Sequence, residues 1–294
     1  MATDRSTGRG LPFEVLREAQ APPPDAEVRG GPLPAPLAQR YGPTLAIPLL
    51  PERPTLIANF VTSLDGVVAV PESGGGGGEI SGFFEPDRFS MGLLRTLADV
   101  IVIGAGTVRQ ATGHEWTPRK VSRANASVLE AWRREMGLAP QPTTIIVTGR
   151  GDVDPTHPAL NAPDVPVIVL TTPAGEEALR VVAFQPHVRV RAVPAGETGG
   201  VPPAAILDVL GDEHARLALC EGGPHLMADL LSIEAIDELF LTLAPQLVGR
   251  APKVKRLSFI EGFAYPGGHG RWTDLLSLRA AGDHLFMRQR LKHP

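Results

Sequence analysis

Two short stretches of this sequence place glycines where an apolar run ends. Residues 100–103 (VIVI) lead into Gly104, Ala105, Gly106 and Thr107, and residues 217–220 (LALC) lead into Glu221, Gly222, Gly223 and Pro224. Glycine lets a backbone approach a ligand closely, and the first N–H groups of a following helix have no partner within it. Such helix ends attract anions through those donors and the helix dipole. Two of them at neighbouring strand ends suit a pyrophosphate, and ligands of open α/β sheets bind at the carboxyl ends of strands. The same glycines equally suit tight strand-to-helix turns that bind nothing. Neither stretch is GxGxxG or GxxxxGK[ST], which disfavours an ordinary Rossmann domain and a P-loop nucleotide hydrolase.

Other reactive residue types point nowhere in particular. Ser63 has no GxSxG around it, so a serine hydrolase is disfavoured. The histidines are scattered without the close spacing of metal ligands, and no metal site is expected. Cys220 is the only cysteine, which excludes an internal disulfide and a cysteine-rich zinc site. The run at 253–256 reads as a solvated loop.

The elements that must position these residues alternate. Residues 55–61 (TLIANFV) read as a strand closed by the turn residues Ser63, Asp65 and Gly66. In that turn Asp65 is expected to bond locally through its side chain rather than to act as an acid. The glycine run at 74–78 reads as a mobile loop, too flexible for an element interior. Pro86 suits a helix start, and Phe89, Leu93, Leu94, Leu97 and Ala98 follow at helical spacing. Residues 100–103, 144–147 and 165–170 are short apolar runs of the kind buried on both faces of a sheet. Then come the strand at 217–220, a helix at 224–231, a strand at 238–243, and a tail at 275–291 that reads as an antiparallel hairpin around Ala281, Gly282 and Asp283. The pattern predicts a mixed sheet with helices on both faces.

Residues 1–50 read differently. They hold Pro22, Pro23, Pro24, Pro32, Pro34 and Pro36 with little apolar periodicity, and they are expected to form a Pro-rich arm with no ordered element of its own. Residues 51–294 are assigned to a single domain. At 294 residues and 43% hydrophobic, the chain can bury a sizeable core. A net charge of −4 gives no general attraction to nucleic acid or to an anionic membrane. No long apolar window and no secretory leader stand in the sequence, so a cytoplasmic location is expected.

An ordered set of motifs adds to this reading. FVTSLDG at 60–66, LLR at 93–95 leading to Ala98 and Asp99, GAGTVR at 104–109, EGGP at 221–224, DEL at 237–239 and AP at 244–245 follow one another in the chain. In this the sequence resembles the pyrimidine reductase family, the reductase domain at the C-terminus of the bifunctional riboflavin-biosynthesis deaminase-reductase. The resemblance spans about residues 54–290. It implies a dihydrofolate-reductase-like α/β fold, with a mostly parallel mixed sheet, flanking helices and a C-terminal antiparallel hairpin. It also implies NADPH as cofactor and a homodimer joined at a sheet edge.

Site residues follow from the same resemblance. Gly104, Gly106 and Thr107 would contact the pyrophosphate from one side, and Gly222, Gly223, Pro224, His225 and Leu226 from the other, with a cis peptide between Gly222 and Gly223. Thr62 and Ser63 would pass the nicotinamide. Thr148 and Arg150 would meet the adenosine end, where Arg150 either pairs with a 2′-phosphate or is a solvated loop arginine. Arg95, Ser81 and Glu221 would bind substrate, Arg95 through a ribose phosphate that its guanidinium fork matches. Glu221 is also taken as the catalytic residue. Hydride transfer belongs to the nicotinamide, but an acid or water must still protonate the reduced nitrogen.

The sequence also departs from the family. An aspartate usual after the cofactor-turn threonine is Ala111 here, and the following Thr112, Gly113, His114, Glu115 and Trp116 lack the Tyr-Gly-Pro of stand-alone relatives. His114 and Trp116 are expected to reshape the pocket. No HxE with PCxxC occurs, so no deaminase is expected. The leading expectation is an NADPH-dependent reductase of a ribosylamino-pyrimidine phosphate or similar imine. A dihydrofolate or pterin reductase, and a non-catalytic NADPH-binding protein, are the alternatives.

Overall fold

The computed structural model describes residues 7–18, 25–70 and 76–292. Their strands are β1 (Glu14–Glu18), β2 (Val28–Pro32), β3 (Thr44–Pro48), β4 (Thr55–Ser63), β5 (Val100–Gly104), β6 (Thr143–Thr148), β7 (Val167–Thr171), β8 (Val188–Ala192), β9 (Leu217–Cys220), β10 (Glu238–Ala244), β11 (Thr273–Ala281) and β12 (His284–Leu291). The helices are α1 (Ala35–Tyr41), α2 (Gly77–Ser81), α3 (Glu85–Leu97), α4 (Ala105–Gln110), α5 (Pro118–Val121), α6 (Ala126–Glu135), α7 (Pro173–Leu179), α8 (Pro203–Asp212) and α9 (Pro224–Ser232).

Ten strands form one sheet in the order β1-β11-β12-β10-β4-β9-β5-β6-β7-β8, and β2 pairs with β3 in a separate hairpin. From β10 to β8 all neighbours are parallel, whereas β10, β12, β11 and β1 pair antiparallel. The parallel part is covered on both faces, as its apolar strands require. In β5, Ile101 and Ile103 pack with Leu93, Leu97 and Trp132 on one face, while Val100 and Val102 pack with Val209, Met227 and Leu230 on the other. The two-residue period of a strand alone produces that division.

Helix α3 carries the predicted stripe: Phe89, Leu93, Leu94 and Leu97 are all buried. Pro86 lies in its first turn, where a missing N–H costs nothing, and the chain turns extended at Ala98. The hairpin of β11 and β12 closes where expected, with Gly282 at φ +53°.

Two expectations are corrected. Pro22, Pro23 and Pro24 lie outside the described residues, but the rest of residues 1–50 is not devoid of ordered elements. It supplies β1, β2, α1 and β3, and Phe13, Leu37, Tyr41, Leu45 and Ile47 join the main core. The prolines stand where the backbone tolerates them: Pro32 and Pro48 at strand ends, Pro34 at the cap of α1 and Pro36 in its first turn. The glycine run is the second correction. Gly74 and Gly75 lie outside the described residues, but Gly77 and Gly78 open α2. A Cβ on Gly77 would lie 2.9 Å from Val61 and one on Gly78 3.0 Å from Phe83, so close packing rather than mobility uses these glycines.

Candidate active site

A cavity of about 470 Å³ opens at the carboxyl ends of β4, β9 and β5, within the range of small-molecule sites. The two glycine turns meet on its floor. The Gly104 N–H donates to the Gly222 carbonyl (2.7 Å), and the Glu221 N–H donates to the Val102 carbonyl (3.1 Å). The Gly222-Gly223 peptide is cis. A Cβ on Gly223 would meet the Thr107 hydroxyl at 3.1 Å, and one on Gly222, whose φ is +89°, would meet the Phe60 ring at 3.1 Å. Thr107, Gly222, Gly223 and Pro224 therefore line one wall as a unit. Helix α9 starts there with Gly223 as its cap.

Arg95 and Glu221, also in the lining, form a bidentate ion pair. Arg95 Nε donates to Glu221 Oε1 (2.8 Å) and one Nη to Oε2 (2.6 Å), with the two side chains 0% and 5% exposed. The remaining guanidinium N–H groups reach the carbonyls of Glu115 and Thr117 (3.3 Å each) and His114 Nε2 (3.0 Å). Five donors meet five acceptors. Arg95 lines the cavity, but in this arrangement no N–H is left over for the ribose phosphate that the resemblance implies; a buried guanidinium is tolerable only when fully paired. Glu221 still lines the cavity, but both its oxygens already accept from Arg95, so as a proton source it is poorly placed.

His114 and Trp116 do border the cavity, edge to face at 4.9 Å. Burial first, and Arg95 second, push the His114 pKa down to about 3. The ring is neutral, and because Nε2 accepts from Arg95 its proton sits on Nδ1.

Ser81 lines the cavity as assigned, and it bonds within the protein, to the Gly78 carbonyl (3.2 Å) and to Asp87. Thr62 and Ser63 do not line it. Their hydroxyls are spent in the turn: Ser63 donates to Asp65 (2.6 Å) and accepts from the Val67 N–H (2.9 Å), and Thr62 donates to the Ser63 carbonyl (3.1 Å). Their place beside the cavity is taken by Asn59, Phe60 and Val61. Asp65 closes that turn as expected; the Ser63 hydroxyl first, then the Val248 and Gly249 amides, hold its pKa down to about 2. Thr148 is buried at the end of β6 and Arg150 is exposed beyond it, both one strand out from the cavity wall. His225 points away, its Nδ1 3.1 Å from the Glu261 carbonyl, and Leu226 packs in the core behind α9.

Two further residues, with no motif to mark them in the sequence, also face the cavity. Asp87 on α3 is buried and hydrogen-bonds with the Thr242 and Ser81 hydroxyls. Burial is the main cause that raises its pKa to about 6, and Glu221 adds to it, while the hydroxyls and Arg88 oppose it. Arg88 is exposed at the mouth, its guanidinium 5.5 Å from the Phe83 ring centre. Asp87 was legible in principle, since positions 87, 90, 94 and 97 share one helical stripe that buries Ser90, Leu94 and Leu97.

Sheet order, hairpin and cavity define a dihydrofolate-reductase-like α/β fold with its site at the strand ends. Residues 54–263 match the RibD C-terminal domain, and the chain belongs to that family. It is similar to the 2,5-diamino-6-ribosylamino-4(3H)-pyrimidinone 5′-phosphate reductase of Archaeoglobus fulgidus, 27% identical over 197 residues that cover 67% of this chain and 83% of that protein. Among solved structures, a pyrimidine reductase-like protein from Corynebacterium diphtheriae has a TM-score of 0.59 at 20% identity, covering 82% of this chain and 93% of that one. A diaminohydroxyphosphoribosylaminopyrimidine deaminase/5-amino-6-(5-phosphoribosylamino)uracil reductase from Thermotoga maritima has a TM-score of 0.59 at 17% identity, covering 82% of this chain and 57% of that one. The structural likenesses speak to fold. No helix among the described residues is long and apolar enough to cross a membrane.

Proposed function

We propose that this chain is an NADPH-dependent reductase of a ribosylamino-pyrimidine phosphate, acting in the cytoplasm as a homodimer. The observation that carries the reading is a cavity of ligand size lined together by Thr107, the Gly222-Gly223 backbone at the start of α9 and the Arg95–Glu221 pair. The named activity of the archaeal relative supports the choice of substrate. The nicotinamide, when bound, supplies a hydride.

The chain's own residues bind and orient. Gly104, Gly106, Thr107, Gly222 and Gly223 would hold the pyrophosphate at the start of α9. Arg150 and Thr148, at the end of the neighbouring strand, would take the 2′-phosphate end. Glu221, held rigid by Arg95, presents a fixed carboxylate edge to the N–H groups of a pyrimidine. Arg88 at the mouth would meet the substrate phosphate in place of Arg95. The aromatic walls of Phe60 and Trp116 exclude water.

Fluorescence titration with NADPH and NADH, on wild type and Thr107→Glu, tests the cofactor site. Saturable binding that prefers NADPH and is lost in the variant is the expected result. No binding of either nucleotide by the wild type at millimolar concentration would sink the proposal. One observation favours a second reading, a pterin-like imine as substrate: Asp87 is a buried acid facing an aromatic-lined cavity. The two readings separate on whether removing Arg88 raises the KM of a phosphorylated substrate.

A further inference from the structure

The cavity holds a second carboxyl group whose surroundings differ from those of Glu221. Asp87 sits in the first turn of α3, 5% exposed, with its side chain directed to the cavity and to two hydroxyls, Thr242 of β10 and Ser81 of α2. No cation pairs with it at salt-bridge distance among the described residues. Glu221, in the same lining, is bidentately paired with Arg95. A carboxyl group that is desolvated and neighboured by hydroxyls rather than by a paired cation is pushed toward its protonated form.

Resting on the reductase reading, we infer that Asp87 is the catalytic acid that delivers the proton when the imine of the substrate is reduced. The step balances. The cofactor's hydride forms a C–H bond at the imine carbon as the C=N π pair moves to nitrogen, the Asp87 O–H bond breaks, and its proton forms the new N–H bond. The oxidised cofactor, the amine and an Asp87 carboxylate result, and solvent returns a proton to Asp87 before the next turnover.

Three other titratable groups at or behind the cavity wall are less suited to deliver a proton. Both Glu221 oxygens accept from Arg95. His114 is neutral, with Nε2 occupied by Arg95, and the remaining N–H of a neutral imidazole is far too weak an acid to deliver a proton. Cys220 is buried in the sheet, its thiol pushed up to about 12. The charged and titratable groups around Asp87 are Arg88 on its own helix, Glu221 with its Arg95, Glu79 on α2 and His284 of β12, whose Nε2 meets the Ser81 carbonyl at 3.0 Å. Desolvation outweighs the neighbouring cation and hydroxyls, so the acid form persists to about pH 6.

The test is the pH dependence of kcat with NADPH and 5-amino-6-(5-phosphoribosylamino)uracil, on wild type, Asp87→Asn and Thr242→Val. Wild-type kcat should fall above about pH 6, the value to which the Asp87 pKa is raised. Asp87→Asn should lose at least ~10²-fold in kcat and lose that limb, while binding NADPH as the wild type does. Thr242→Val removes a hydrogen bond to the ionised form, so its limb should move to higher pH. An Asp87→Asn enzyme that turns over within about twofold of wild type, with the same pH limb, would overturn the inference and leave the reductase reading standing. Should Asp87→Asn fail to fold, an unmoved limb in Thr242→Val overturns it alone. A wild type that binds NADPH but reduces no such pyrimidine would overturn the substrate reading and this inference with it.

Discussion

Replacing Arg95 with Met tests the central ion pair most directly. Methionine fills much of the arginine stem but removes all five donors. Glu221, 5% exposed, is then a buried carboxylate with no counter-charge, and the Glu115 and Thr117 carbonyls and His114 Nε2 lose their partners. Breaking a buried pair from one side costs about 3–5 kcal/mol. The two carbonyl bonds are long at 3.3 Å, so they add little. At roughly 2–4 °C per kcal/mol for a large domain, the melting temperature should drop by on the order of 10 °C. Urea unfolding followed by far-UV circular dichroism measures the loss. The double variant Arg95→Met with Glu221→Gln should be less destabilised than the sum of its single changes by about 2 kcal/mol or more, because the stranded charge is gone. A single-variant loss under about 1 kcal/mol, or simple additivity in the double variant, would refute the claim that this pair is dry and mutually dependent.

Two further outcomes concern stability. The Asp87 pKa rises from 3.8 to about 6, about two units, which at 1.36 kcal/mol each is about 3 kcal/mol. A raised carboxyl contributes most below its unfolded value and loses that contribution as pH climbs through the folded one. Asp87→Asn should therefore be more stable than wild type at pH 8, by up to about 3 kcal/mol, with the difference gone by about pH 4; equal denaturation midpoints at both pH values would contradict the burial argument. Leu37→Ala, in the Pro-rich N-terminal stretch, should cost about 2–5 kcal/mol in the same assay, because Leu37 is 0% exposed within the main core. A neutral result would mean that this stretch does not share the domain's core.

Much of the scaffold was legible along the chain. The apolar runs at β5, β7 and β9 need only local composition to be recognised as buried strands, and the stripe of α3 needs only helical spacing. The turns after β5 and β9 announce themselves through their glycines, and Asp65 through its place in a turn. Element β8, whose residues alternate in VRVRA, and the pairing of β1 on the sheet edge were less visible, since both depend on a partner strand far away in sequence.

What the sequence by itself determined is therefore the set of elements on both sides of a mostly parallel sheet, and the two glycine turns at its strand ends. Tertiary structure alone decided which side chains the cavity receives. Arg95 and Asp87 lie eight positions apart on one helix, yet one is saturated by Glu221 and three other residues while the other is left to two hydroxyls. Their roles depend on what α2, β9, β10 and the segment before α5 bring opposite them. Likewise, the glycines of α2 and the prolines of residues 25–48 carry ordered structure because Val61, Phe83 and the core beneath α1 press against them. Local propensity is a preference of roughly 1 kcal/mol or less per ordinary residue, whereas burial of a large side chain contributes about 1.5–3 kcal/mol, so where the two disagreed the packing prevailed.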